Sequence, residues 1–452
     1  MASLLIKRIC AVFKRWDAQN ATPCLNSKST TKYKTLQWKS NPSLKKFILR
    51  DFPMNREPIK MKEGNLPSIE YTRTLTNRQI LYVVELFGTF TCIWPSDPNS
   101  SKKQIIFRNI RWLFAMLNLT LLMISLTLAL YYFRHDVSIL MKSISEMTSV
   151  LEAILDLILC RMNNDQLQVL IGKVKTFIEV ADEHETKAME RYMDRYKQFL
   201  SITASAYIIC SILFSLAPFF SAQELPVDGW LPFTTESPGI YCIVYINHVY
   251  CIYLTTFCIG VDFMIVILFS YSAAKLNILK VKLRHVNDFD VLVSCVKEHQ
   301  EIIGFVEDTK TTIETLLFKT NATMGSAVIC GGFPLIYVSL ICQPAQQNQS
   351  FTVMGKFILV MISGCTRMYV NAWPADDLQE CSVQFAQSMT DVQWIGKPKK
   401  MKSTLIIMMQ RSQKPFVIKM GGLLPSLTLE YFANFLTTIT SYFMAMRTMI
   451  ES

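Results

Sequence analysis

The sequence is short of the residues and spacings that catalysis draws on. Five histidines are spread over 452 residues, and none fall in an HExxH pair. A Walker loop and a GxSxG elbow are also missing, so the phosphate cradle, the zinc pair and the serine nucleophile those spacings build are excluded. Nothing left over assembles into a catalytic set, which points away from an enzyme and from any resident cofactor or metal. The thirteen cysteines include no CxxC pair, against a zinc or disulfide framework. Eight of them (Cys160, Cys210, Cys242, Cys251, Cys258, Cys330, Cys342 and Cys365) lie in or beside apolar runs, where a thiol serves as a small core residue. One pairing stays open, Cys242 with Cys342, which fall near the same membrane face. Charge is scarce too: 18% of residues are Asp, Glu, Lys or Arg, against 51% hydrophobic, and mean hydropathy is +0.26. That composition excludes the two or three soluble domains the length would permit and describes a polytopic membrane protein. There are no repeated halves of the kind transporters show, and nothing calls for a nucleic-acid partner.

What is present is a series of apolar runs near the length that crosses a bilayer. Residues 1–75 are polar and basic, with eleven Lys/Arg against Asp17 alone between Met1 and Arg50; they read as a disordered cytosolic arm rather than a transit peptide. Residues 76–95 form a short apolar segment with Glu85 and Gly88, suited to an interfacial or re-entrant helix. Spans follow at 112–133, 137–160, 199–220, 241–273, 321–342, 353–372 and 419–449, with polar anchor regions at 274–320 and 373–418. The second span pairs Lys142 with Glu146 and Glu152 with Asp156, each four apart on one helix face. Asp262 lies within the fourth.

Lys and Arg set the direction. They crowd the N-terminal arm and the loops after spans two, four and six, whereas the loops after spans one, three and five hold only Arg134. The positive-inside rule then places the N-terminus in the cytosol and the C-terminus outside. The sequon Asn348-Gln349-Ser350 falls in an outer loop, where glycosylation is possible; the matches at Asn20, Asn118 and Asn321 do not. This orientation is the reverse of a G-protein-coupled receptor. Asp194-Arg195-Tyr196 precedes span three instead of following it, no NPxxY lies on span seven, and the tripeptide reads as a solvated piece of cytosolic helix.

The last span is the least uniformly apolar. Ser426, Thr428, Glu430, Asn434, Thr437, Thr438, Thr440 and Ser441 recur through it, a pattern for a helix that packs on others or lines water.

Several stretches together resemble the insect odorant receptors. The outer loop Glu224-Leu225-Pro226 through Trp230-Leu231-Pro232-Phe233, the segment Leu292 to Ile313 around His299, and a C-terminal block carry the likeness. That block comprises Trp394, Gln413-Lys414-Pro415, Leu427 to Phe432 and Ser441-Tyr442-Phe443. The likeness runs from about Tyr71 to the end, and the basic residues before it depart from the family. It implies an all-α membrane protein of seven transmembrane helices with inverted topology. It also implies an odorant-binding subunit that joins a shared co-receptor in a heterotetramer, a cation channel lined by the last helices, in the plasma membrane of olfactory neurons. The loop between spans four and five lacks the co-receptor's insertion, which implies a tuning subunit. A gustatory-type receptor is the alternative, although SYFMAMRTM lacks that group's Gln-Phe ending; a G-protein-coupled receptor or a transporter stands further off. The implied pocket for a small volatile apolar ligand draws on Met147 and Leu151, on Ile208, Ile212 and Leu216, on Tyr245, His248, Val249 and Tyr253, and on Ile362. The implied gate is Ala445 with Met449, four apart on one face, with Thr438 and Ser441 along the cation path.

Overall fold

The computed structural model describes residues 77–451 except 98–99, 136, 221–223, 228, 342–346, 393–394 and 423; the side chains of 77, 137–139, 141, 333–341, 347–357, 446 and 449–451 also lie outside the description. The basic arm therefore lies outside the described residues, as do Cys342 and Trp394. Helices in chain order are α1 (Asn77–Phe90), α2 (Lys102–Tyr132), α3 (Val137–Met162), α4 (Asn164–Val180), α5 (Glu183–Phe220) and α6 (Pro238–Phe257). They continue with α7 (Ile259–Arg284), α8 (Phe289–Ile341), α9 (Gln347–Ser388), α10 (Lys399–Ser412) and α11 (Leu429–Glu451).

Local chemistry sets several of these ends. Ser101 caps α2 in a capping box with Gln104, each side chain taking the other's backbone N–H. Pro238 opens α6, where its missing N–H costs nothing. Before α11 the chain turns sharply through Gly421 and Gly422, whose φ values of 59° and 66° favour glycine. That turn closes an isolated bridge from Met420 to Leu424, so the last helix begins at Leu429, ten residues after the expected start of the segment.

By length and composition, three helical stretches among the described residues are apolar enough to cross a membrane by themselves: Lys102–Tyr132, Glu183–Phe220 and Pro238–Arg284. The last was expected as one continuous span from 241. It is interrupted at Cys258, two residues before Gly260, where Phe87 of α1 comes close. From there α7 is buried almost all round, from Ile259 to Ala274, as a central helix must be. α8 and α9 are 53 and 42 residues long. At about 1.5 Å per residue they reach roughly 80 and 63 Å, well beyond a hydrocarbon core of about 30 Å. The expected anchor region at 274–320 is thus largely the continuation of α7 and α8, whereas that at 373–418 continues α9 only as far as Ser388 and then holds the separate helix α10.

The bundle has two recognisable ends. At one, the loop from Glu224 folds back on α2: Ser125 Oγ donates to the Trp230 carbonyl at 2.9 Å, the Trp230 amide donates to the Ser125 carbonyl at 3.1 Å, and Trp230 stacks on Tyr132 at 4.1 Å. At the other, α10 and parts of α7, α8 and α9 gather around His299, Phe385 and Met408, all buried.

Candidate ligand pocket, ionic core and last helix

The expected pocket residues lie on α3, α5, α6 and α9, toward the end closed by the Trp230 loop. Met147, Leu151, Ile208, Tyr245, Val249, Tyr253 and Ile362 are half-buried. His248 is buried, and its Nδ1 has no hydrogen-bond partner. Ile212 and Leu216 are more open, at 40% and 38% exposure. The Tyr245 hydroxyl donates to the Ser215 carbonyl at 2.9 Å, and the Tyr245 ring lies 6.0 Å from those of Tyr241 and Phe219. Its polar tip is thus engaged by α5, which leaves His248 as the buried member of this set with a ring nitrogen lacking a protein partner. Nearby, Asn247 donates to Asn118 of α2, which ties α6 to α2 and buries that discounted sequon inside the bundle.

One turn or two along the same helices lies a buried ionic core that the sequence showed only in pieces. Glu152 and Asp156 of α3 both face Lys319 of α8, each at 2.6 Å. Arg367 of α9 reaches Glu152 at 3.1 Å and Asp262 of α7 at 2.5 Å. Asn371, one turn on, donates to the other Asp262 oxygen at 2.8 Å, and Thr323 donates to Glu152. None of these five charged side chains is more than 5% exposed. In hydrocarbon such charges persist only by pairing. Asp262 is therefore engaged with a neighbouring helix, and the acid face of α3 meets a base. What sequence reasoning missed were the bases, Lys319 and Arg367. The available signal was Arg367 and Asn371 four apart in an apolar span.

Nearer the α10 end, the structure corrects the reading of Asp194-Arg195-Tyr196 as a solvated tripeptide. Tyr196 is buried and donates to Asp377 of α9, with Arg195 3.3 Å from the same carboxylate. Only Asp194 is exposed. Trp373 and Tyr369 pack edge-on against Phe199 and Tyr196 in the same seam. Because burial outweighs the Arg195 guanidinium, the Asp377 carboxyl is pushed up to about 6.

α11 is two-faced. Phe432, Ala433, Ile439 and Phe443 are buried. Phe443 lies against Gly332 of α8, where a Cβ would collide with its ring, and Phe435 lies beside Gly325. Opposite them Glu430, Asn434, Thr438 and Ser441 are exposed, followed by the half-buried Ala445 and the exposed Thr448. The spacings of three and four put these on one helix face. The hydroxyls of Thr438 and Ser441 donate to the carbonyls of Asn434 and Thr437, 2.8 and 2.9 Å away, so these two groups are satisfied within the helix. Met449, the second expected gate residue, is helical but its side chain lies outside the description, as does that of Asn348 in the first turn of α9. Arg447 is exposed near the end of the helix. Cys242 is a free, exposed thiol.

Against known proteins, the family described as 7tm Odorant receptor matches residues 136–439. Odorant receptor 10 of Aedes albopictus is 24% identical over 294 residues, 61% of this chain and 75% of that receptor. Odorant receptor Or2 of Anopheles gambiae is 27% identical over 159 residues, which span 35% of this chain and 39% of Or2. The fold matches the solved insect olfactory receptor OR5 from Machilis hrabei in complex with eugenol, with a TM-score of 0.67 over 81% of this chain and 98% of that one, at 14% identity. With well over half its length matched to one family, and an all-helical fold shared with a solved insect olfactory receptor, the chain belongs to the seven-transmembrane odorant receptor family.

Proposed function

We propose that the chain is the odorant-binding, tuning subunit of a ligand-gated cation channel, assembled with the family's shared co-receptor in a heterotetramer. Its place is the plasma membrane of olfactory sensory neurons, with the N-terminus in the cytosol and the Trp230 loop outside. The observation that carries this reading is the face of α11. An isolated membrane helix has no use for exposed Asn434, Thr438 and Ser441, whereas a helix that meets its counterparts from other subunits around water does. Ala445 and Met449 form the narrow collar near the outer end. An alanine at one gate position makes a weak constriction, which larger partner residues complete.

The ligand site is the outer pocket between α3, α5, α6 and α9. Aliphatic and aromatic side chains, Met147, Leu151, Ile208, Ile212, Leu216, Tyr253 and Ile362 among them, suit a small volatile apolar compound. His248 supplies a polar contact for a hydroxyl or carbonyl. Ligand binding opens the pore only by its differential affinity for the open arrangement of α9 and α11. The reading predicts rapid odour-evoked cation current under voltage clamp in cells expressing this chain with a co-receptor, across a panel of small volatiles that includes eugenol. Current from this chain alone would indicate a homomeric channel, and silence of both at normal surface expression would contradict the reading.

A further inference from the structure

Arg367 sits where α9 changes character. On its outer side the described ties of α9 are two hydrogen bonds between Tyr207 and Ser363 and otherwise apolar packing, with Met361, Gly364 and Cys365 lying against Val328, Ile439 and Phe443 of α8 and α11. At and below Arg367 the ties become dense. Arg367 holds Asp262 and Glu152, Asn371 holds Asp262, Trp373 sits in an aromatic seam, and Asp377 holds Tyr196 and Arg195. Pro374 lies inside the helix two turns below Arg367. A proline there removes one helical hydrogen bond and favours a bend.

Two magnitudes decide what this arrangement does on gating. Removing one partner of a buried ion pair shifts an equilibrium about 150- to 5000-fold. Ligand-driven coupling between sites is usually about 5- to 150-fold. The leverage an odorant brings is therefore smaller than the cost of pulling Arg367 out of its pairs. A helix held by directional ion pairs at one height, and above it mainly by apolar contacts that can slide, moves most easily by tilting about the held point.

We propose that Arg367, clamped by Glu152, Asp262 and Asn371, is a positioning residue for gating, the fixed pivot about which the outer half of α9 swings between the ligand pocket and α11. The ionic core is thus a fulcrum that both states share, not a lock that opening breaks. This rests on the channel reading above.

The two roles predict opposite currents. The test is voltage clamp of the co-expressed channel carrying Arg367→Lys, Asn371→Ala or Thr323→Val, each of which loosens the core while keeping its formal charge. Odour-free and odour-evoked currents, with eugenol and the volatile panel as probes, are divided by surface receptor measured by biotinylation. A loosened pivot lowers both currents per receptor, by about five-fold or more for Asn371→Ala, without raising the odour-free current. Arg367→Lys, which keeps the charge but not the fork, retains part of the response. A rise in odour-free current would overturn the proposal in favour of a lock. Unchanged currents per receptor with reduced surface amount would overturn it in favour of a packing role alone. A silent wild type would instead fail the channel reading itself, which separates the two.

Discussion

His299 is buried under Phe385, whose ring lies 5.0 Å away, at the α10 end of the bundle. Burial, and then the neighbouring Arg411 cation, push its imidazole down to about 4. The unfolded chain takes up a proton near pH 6.5, and the folded chain does so only near pH 4. Folding stability therefore falls as pH drops through that window, by up to about 3 kcal/mol from this group. Asp377 acts with the opposite sign. Its raised pKa of about 6 means that its contribution is lost as pH rises from about 4 to about 6. The two windows overlap between about pH 4 and 6 and offset each other there, so thermal unfolding of purified receptor should show His299→Gln gaining stability on acidification relative to the wild type and Asp377→Asn losing it. An acid limb unchanged by His299→Gln would contradict this account. Neither group was legible as buried in the sequence. His299 stood only inside a family-like stretch, and Tyr196 looked solvated because its partner Asp377 lies 181 residues on.

At the scale of the element, α11 is held by fit. Gly332 leaves the space that the Phe443 ring fills, and Val328, Ile439 and Phe443 form a small core of their own with Met361 and Cys365. Gly332→Ala places a methyl group inside that ring, and overpacking of this kind costs about 1–3 kcal/mol. The expected result is a lower melting temperature and a smaller current, recovered in part when Phe443→Leu makes room; an unperturbed Gly332→Ala would mean that α11 does not seat there. The helices themselves were largely legible, because apolar runs of about twenty residues leave few alternatives. Their ends were not. The start of α11 depends on a Gly421–Gly422 turn packed on Phe318, and the interruption at Cys258 falls in a run whose hydropathy gives no sign of it. The exposed Thr438 and Ser441 could be picked out as polar groups in an apolar run; which face each took needed the neighbours.

At the scale of the whole molecule, lysine and arginine counts give orientation, and the family match gives a receptor rather than an enzyme. A sequon placed in the 224–237 loop should be glycosylated in microsomes and one placed in the α9–α10 connection should not; the reverse pattern would invert the proposed topology. The ionic core shows the limit of reading a membrane chain alone. Its acids were visible as helix-face pairs, but Lys319 and Arg367 come from helices more than a hundred residues away, and only the packed bundle brings them together. The central claim is that the polar face of α11 lines a cation path. Voltage clamp of the co-expressed channel during exposure to a charged, membrane-impermeant thiol reagent tests it most directly, with the wild type as control for native cysteines such as exposed Cys242. Ser441→Cys and Thr438→Cys should lose odour-evoked current irreversibly, and Ile439→Cys, buried against α8, should not. Equal insensitivity at all three positions would contradict the pore assignment.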